Sequence, residues 1–490
     1  MTTADAVVVG SGPNGLAAAV TLARAGLEVT VLERSGSAGG GASTRELTLP
    51  GVLHDVCSAV HPLAVSSDFF RRFRLAERIA LFTPEISYAQ AILGDRAAIA
   101  YRDLDRTAEG LGRDAGAWRR LLGPLCRDAG VLARATGEDL LRFPPHPLAL
   151  ARLGLRVLQQ GGPAWNRPFR GVEAPALLSG VFAHTIQRLP SLGTAAAGLM
   201  LAVYGHTVGW PIPRGGSAAI SQAMIADLIE HGGRVETGVE VAELAELPPA
   251  RITMLDVTPR ALLRLAGDRL PAGFARAMRG FEYGNGVAKA DFALSAPVPW
   301  ASPALRSAVT VHLGGSRAEV AAAENAVAAG RHAERPFVLT CQPTVLDPGR
   351  APAGTHVLWA YTHVPAGSTV DQTEAIVGRI EEFAPGFRDT VVAVHSRTAA
   401  DLAAENPNDI GGDIASGGVS AWQLVARPRL SPEPWSTPLS GVYLCSASTV
   451  PGPGVHGQCG WLAARHALER ELGISRPPEL APKSRTPLNH

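Results

Sequence analysis

The stretch Asp5-Ala6-Val7-Val8-Val9-Gly10-Ser11-Gly12-Pro13-Asn14-Gly15, running on to Gly39-Gly40-Gly41, decides the fold. Ala6 to Val9 is a short apolar run of strand type. Gly10, Gly12 and Gly15 form G-x-G-x-x-G, and Leu16 to Arg24 carries the apolar pattern of a helix that Gly26 stops. Leu27 to Leu32 is a second apolar strand, closing on Glu33. Strand, glycine turn, helix, strand and terminal acid stand in the order of a βαβ unit built around a dinucleotide.

Each position has a physical reason. Gly10 permits the tight turn out of the strand. Gly12 lacks a Cβ, so a pyrophosphate can approach the backbone, and Gly15 lets the helix pack closely on the sheet. With Pro13 and Asn14 completing the turn, the open N–H groups at the helix start face an anion, with the helix dipole behind them. Glu33 stands where a carboxylate accepts from ribose hydroxyls. An acid there disfavours a 2′-phosphate, hence NADP.

The residues after Glu33 bear on which dinucleotide is bound. Arg34 leads into a glycine-rich loop, Gly39-Gly40-Gly41-Ala42-Ser43. An NAD site has no general need for such a loop. It resembles the loop with which FAD enzymes of the glutathione-reductase and amine-oxidase type wrap the far side of the diphosphate and the ribityl chain. That resemblance implies FAD.

Length and composition set bounds. A chain of 490 residues calls for two or three domains. A net charge of +1 gives no reason to expect nucleic acid. Cys57, Cys126, Cys341, Cys445 and Cys459 are scattered with no C-x-x-C pair, so neither a redox dithiol nor a zinc knuckle is expected. The first strand begins almost at once, leaving no room for a cleaved signal. No uninterrupted apolar run reaches the length of a spanning helix. Reduced thiols in a cytoplasmic protein are the expectation.

His54 and His61 flank Asp55, a pattern that could suggest a metal. They follow the flavin-type loop, so they are read as cleft-lining groups and no metal site is expected. From Ser66 to about Met200 the pattern predicts mostly helix, with Asp114 to Ala135 one clear case. Residues 142–170 hold Arg142, Arg152, Arg156, Arg167 and Arg170, interleaved with leucines and without an acid. Such a segment can lie on an anionic membrane or form the solvated face of a cap helix. Residues 203–241 return to alternating helix and strand, and 252–257 is a further strand. Val287–Leu294 and Val357–Tyr361 alternate like strands, and Glu374–Phe383 like a helix, predicting a second domain of sheet plus helices. Asn406 to Asp413 is a glycine-rich loop with two carboxylates, Asp409 and Asp413. Finally Gly441–Cys445 is a strand, Ser446–Gly457 a second glycine loop, and Gln458–Leu472 a helix.

Four blocks together resemble the phytoene-desaturase-like flavoproteins: the N-terminal fingerprint through Gly41, Pro213-Arg214-Gly215-Gly216 with its helix and strand to Val241, Leu255-Asp256-Val257 with Pro259, and Tyr443 to Gly460. The resemblance implies an α/β fold with a Rossmann-like FAD domain of the amine-oxidase type and a second, mixed substrate domain. The FAD domain is discontinuous (1–75, 205–260 and 395–490), and the substrate domain takes 76–204 and 261–394. Carried over residue by residue, Gly10, Gly12, Pro13, Asn14 and Gly15 hold the diphosphate. Glu33 and Arg34 lie at the AMP ribose. Gly39, Gly40, Gly41, Ala42 and Ser43 run towards the flavin, and Val241 lies at the adenine. Ser448, Gly454, Val455 and His456 lie at the flavin's polar edge. Two departures stand out. The hairpin after Val241 is trimmed to Ala242–Arg251, and Ser446-Ala447-Ser448 replaces an acid that many relatives carry.

The resemblance implies an oxidoreductase that removes two hydrogens from a small apolar organic substrate, a hydride going to flavin N5 as a double bond forms. With no second dinucleotide fold in sight, oxygen or a quinone is the expected electron acceptor. His456 and Asp413 are the candidate proton acceptors. Alternatives on the same fold are a redox-neutral flavin isomerase, an amine oxidase, or a lipid-binding escort protein. The escort proteins have lost the flavin-facing features that this chain keeps. Peripheral membrane contact through 142–170 would suit a greasy substrate.

Overall fold

Two sheets organise the chain. The computed structural model describes residues 5–138 and 146–482. In chain order the strands of the two sheets are β1 (Ala6–Val9), β2 (Val29–Glu33), β3 (Ile86–Leu93), β4 (Arg96–Tyr101), β5 (Arg234–Thr237), β6 (Ile252–Leu255), β7 (Gly286–Leu294), β8 (Thr310–Leu313), β9 (Val338–Cys341), β10 (His356–Val364), β11 (Val391–Arg397) and β12 (Val442–Leu444). The first sheet has the order β12-β6-β1-β2-β5 and is parallel throughout. The second has the order β11-β7-β10-β9-β8-β3-β4 and is antiparallel except where β8 meets β3.

Parallel strands covered on both faces read as unbroken apolar runs. β1 and β6 do so and are buried along their whole length. One face is covered by α1 (Pro13–Arg24), the helix Ala218–Glu230 and the C-terminal helix Gln458–Leu472. The other is covered by the helices Pro259–Ala266 and Ala272–Arg279. Those two helices stay with the parallel sheet, and β11 stays with the mixed one. The chain therefore crosses between the two bodies near residues 280 and 397.

Small residues set the spacing. Ala17, Ala18 and Ala19 of α1 are fully buried, and Gly460 of the C-terminal helix lies against the start of α1. A Cβ on Gly460 would come within 1.8 Å of the Asn14 carbonyl oxygen.

The region 66–200 is mostly helical, as expected, and also contains the hairpin β3–β4, which was not expected. Both strands are alanine-rich and β3 is covered on both faces. Ile86, Tyr88, Ile92, Ile99 and Tyr101 are strand-type residues, but the alanines between them blur the pattern. The turn is made by Gly94, whose φ is +58°. The expected helix Asp114–Ala135 divides at Asp128 into Ala115–Arg127 and Ala129–Thr136.

The two bodies are joined by a buried ionic chain. Arg350, fully buried, donates to Asp55 (3.0 Å) and to Asp347 (2.9 Å). Asp347 also accepts from Gly215 N–H (2.7 Å), and Asp55 from Ser217 N–H (2.8 Å). A guanidinium with both carboxylates satisfied in this way tolerates burial, whereas one partner alone would leave a stranded charge.

The basic segment contains α2 (Pro147–Gly161), while residues 142–145 lie outside the described residues. The inner face of α2 buries Ala149 and Leu153, and its outer face leaves Leu148, Leu155 and Leu158 exposed. Arg152 pairs with Asp128 (2.7 Å), and Arg156 donates to the Arg120 carbonyl (3.0 Å). No helix among the described residues is long and apolar enough to cross a membrane.

Two glycine substitutions test this packing. Gly460→Ala forces α1 and the C-terminal helix apart and is expected to lower stability by roughly 1–3 kcal/mol. Gly154→Ala, in a helical position with open space around it, is expected to raise it by about 0.5–1 kcal/mol. Equal melting shifts for the two would contradict the close helix contact.

Candidate functional site

In the parallel sheet the strand order turns back between β1 and β6, where a crevice opens beyond the carboxyl ends of the strands. The residues that leave those ends are Gly10 and Asp256. Around them lies one cavity of about 830 Å³, reaching from the glycine turn into the second body.

Gly10, Ser11, Gly12, Pro13 and Asn14 line the cavity. Gly12 caps α1 without a side-chain hydrogen bond, and Pro13 follows at the first helical position. Glu33 is tied to the turn. Its Oε2 accepts from the Ser11 N–H (2.9 Å) and hydroxyl (2.6 Å), and its Oε1 from Ser35 N–H (2.7 Å). A carboxylate oxygen takes about two donors. Oε1 therefore keeps an open acceptor position for a sugar hydroxyl.

Asp256 was named in the sequence only within the strand 252–257 and the block Leu255-Asp256-Val257, with no role given, and its side chain reaches the helix start. Its Oδ2 accepts from Gly15 N–H (2.9 Å). A Cβ on Gly12 would lie 2.6 Å from that oxygen, and one on Gly15 2.9 Å from it. The expected reasons for these glycines gain a term, since both make room for this carboxyl. One N–H expected to face a diphosphate faces Asp256 instead. Burial pushes the Asp256 carboxyl up to about 7, against the pull of the backbone N–H groups. A group at that value can hold a proton beside an anion. The signal was available, because Asp256 ends a strand at the switch point.

The second loop closes over the turn. A Cβ on Gly40 would lie 2.9 Å from Gly12 Cα. Gly40, Gly41 and Ser43 line the cavity, as do Arg34 and Val241; Gly15, Gly39 and Ala42 stand behind that surface. Ser43 Oγ and Asn14 Oδ1 are buried without a partner. The C-terminal loop contributes Gly454, Val455 and His456. Ser448 turns away, its hydroxyl donating to the Ser416 carbonyl (2.7 Å), and Ser446 and Ala447 line the cavity in its place.

His456 has both ring nitrogens engaged. Its Nδ1 accepts from Gln458 N–H (3.0 Å), so Nε2 carries the proton and donates to the Gly452 carbonyl (3.0 Å). Burial holds its pKa down at about 4. Asp413 accepts from three backbone N–H groups: Gly284 (2.6 Å), Gly417 (2.9 Å) and Ala415 (2.9 Å). It stands behind the cavity wall, and burial raises its pKa. The loop does reach the cavity, but through Asp409, whose carboxyl is pushed up to about 8 by burial and then by the charge of Asp413. His54 and His61 do not converge: one bonds Thr48 (2.8 Å) and the other Ser217 (2.7 Å).

Beyond the loops the cavity becomes a chamber. Met200, Tyr204, Trp210, Trp359 and Tyr361 form its walls, and His184 and Thr185 also line it. Sequence reasoning missed this chamber, because its aromatics come from separate segments, each reading as ordinary core.

The residues fit an extended dinucleotide of the FAD type. The open acceptor on Glu33 suits a ribose, the unpartnered Ser43 hydroxyl a phosphate oxygen, and the second loop a part of the cofactor beyond the diphosphate. Residues 8–73 match the model of the NAD(P)-binding Rossmann-like domain. Over 96% of its length the chain is 26% identical to the pyridine nucleotide-disulfide oxidoreductase domain-containing protein 2 of Rattus norvegicus, covering 94% of that protein. It is also 26% identical to the phytoene dehydrogenase of Streptomyces griseus, covering 97% of each chain. A solved structure of putrescine oxidase bound to putrescine has the same fold. Its TM-score is 0.62 at 17% identity, with 97% of this chain and 100% of that one covered. The chain is thus an oxidoreductase with a Rossmann-like dinucleotide domain, a homologue of phytoene dehydrogenase on the fold of the flavin amine oxidases.

Proposed function

We propose that the protein is an FAD-dependent dehydrogenase that removes two hydrogens from an apolar organic substrate and leaves a double bond. The observation that carries this reading is the continuity of the cavity: the dinucleotide cradle and the aromatic chamber are one space. When bound, FAD would supply the hydride acceptor, with oxygen or a quinone as the final electron acceptor. The chamber holds a C–H and excludes water. Residues 454–456, just before the C-terminal helix, stand where backbone dipoles can stabilise negative charge. His456 and Asp413 hold the two loops in place, and the substrate's proton is lost in a later step, once the oxidised product meets solvent. The walls from residues 184–210 and from β9 and β10 carry no carboxylate, the acids of the cavity lying on other segments (Asp68, Glu138, Asp256, Glu405 and Asp409); this supports an apolar substrate over a cationic amine.

The test is anaerobic single-turnover reduction of the bound flavin by a panel of polyenes, amines and fatty compounds. Deuterium at the attacked carbon should slow reduction by the true substrate. The absence of an isotope effect would favour the redox-neutral isomerase. His456→Ala and Asp413→Asn should lose flavin or stability yet reduce what they retain at close to the wild-type rate. A fall of about a hundredfold would make that residue a base.

Glu33→Ala is expected to weaken FAD binding by about tenfold to a hundredfold, the size of a hydrogen bond to a charged group. Unchanged affinity would mean that Glu33 does not reach the ribose.

The exposed leucine stripe of α2 supports peripheral contact with an anionic membrane. Sedimentation with anionic but not neutral vesicles, weakened by salt, is expected, and its loss in Leu155→Asp/Leu158→Asp would place the contact on α2. Equal behaviour with both vesicles would leave α2 as a solvated cap helix.

A further inference from the structure

His184 follows directly on α3 (Glu173–Ala183) and lines the chamber. Its Nε2 is 2.9 Å from Nε2 of His312, a fully buried residue on β8. Behind His312 lies Gln90 on β3, also fully buried. Two atoms there are sealed from solvent without a partner, His312 Nδ1 and Gln90 Oε1. They are close to each other, because a Cβ on Gly180 would lie 2.5 Å from the first and 2.2 Å from the second. The glycine is what leaves room for both.

These contacts fix where the protons are. The Gln90 amide is pinned, since its Nε2 donates to the Gly315 carbonyl (3.0 Å); flipped, it would set two oxygens against each other. Gln90 Oε1 is therefore an acceptor beside His312 Nδ1, with no hydrogen bond formed between the two. An unpartnered buried acceptor is unfavourable, so a proton on His312 Nδ1, which a small shift would bring to Gln90, is the favoured tautomer. His312 Nε2 is then a bare lone pair, and the proton between the two rings belongs to His184 Nε2. Both rings are neutral: burial lowers each pKa, to about 3 for His184 and well below the ordinary imidazole value for His312. A neutral imidazole with its proton on Nε2 carries a lone pair on Nδ1. Nδ1 of His184 has no protein partner, and it is not sealed as His312 Nδ1 is.

We propose that His184 presents this bare Nδ1 to the chamber and anchors a hydroxyl at one end of an otherwise apolar substrate, with His312 and Gln90 as positioning residues. The inference rests on the chamber being the substrate site. A hydroxyl suits it because the lining nearest His184, from residues 184–210 and from β9 and β10, is mostly apolar and aromatic and carries no carboxylate for an ammonium group.

Two measurements test it. The first is calorimetric titration of the holoprotein with decan-1-ol and with its methyl ether, which keeps the oxygen and loses the donor. The alcohol should bind about tenfold more tightly, as one net hydrogen bond gives, and His184→Phe should erase the preference while leaving ether binding unchanged. Equal binding of the two by the wild-type protein, or a preference that survives His184→Phe, would overturn the proposal. The second is ¹⁵N NMR of the imidazoles in the wild-type protein, which needs no substitution. An unprotonated Nδ1 on His184 with a protonated Nδ1 on His312 is expected, and the reverse tautomers would overturn it. Flavin content, read from absorbance, is independent of both. Its absence would count against the dehydrogenase reading and leave the tautomers to decide this one.

Discussion

The start of α1 is the constraint on which the rest depends. Three distant parts of the chain converge on a few backbone atoms there. Glu33 takes the Ser11 N–H, Asp256 takes the Gly15 N–H, and Gly460 lies against the Asn14 carbonyl. Each approach requires a missing Cβ or a short polar side chain, so the glycine spacing serves packing as much as anion binding. The same contacts fix the relative positions of β2, β6 and the C-terminal helix, and with them the loops that border the cavity.

A second constraint joins the bodies. The chain of Asp55, Arg350 and Asp347 ties the hairpin beside the cofactor loop to the mixed sheet and to the turn at Gly215–Ser217. Removing one member of a buried ionic chain leaves an uncompensated charge, so this chain holds the arrangement that it joins. It keeps the aromatic chamber in register with the cradle, which the proposed chemistry needs because a C–H must be held against the cofactor.

The βαβ unit, the parallel sheet and the final strand, loop and helix were legible because their signals are local: glycine spacing, unbroken apolar runs and an acid at a strand end. The C-terminal helix begins at Gln458 and ends at Leu472, as the sequence indicates. The β3–β4 hairpin was hidden because β3, covered on both faces, loses its alternation, and the alanines of both strands are helix formers. In the site, residues near the glycines were legible and side-chain direction was not. Asp409 and Asp413 sit four apart on one loop, and only the fold decides that the first meets the cavity while the second braces the backbone. His456 reads as a free imidazole until Gln458 and Gly452 are seen to occupy both nitrogens. His184 and His312 lie on different elements and meet only in three dimensions.

The central claim is that the cavity holds FAD without a covalent bond, and the most direct measurement is the absorbance of the purified protein before and after acid precipitation. The expected result is a yellow protein with a flavin spectrum whose colour passes into the supernatant as FAD. A colourless protein that takes up no added FAD would contradict the claim, and colour that stays in the pellet would contradict its non-covalent part.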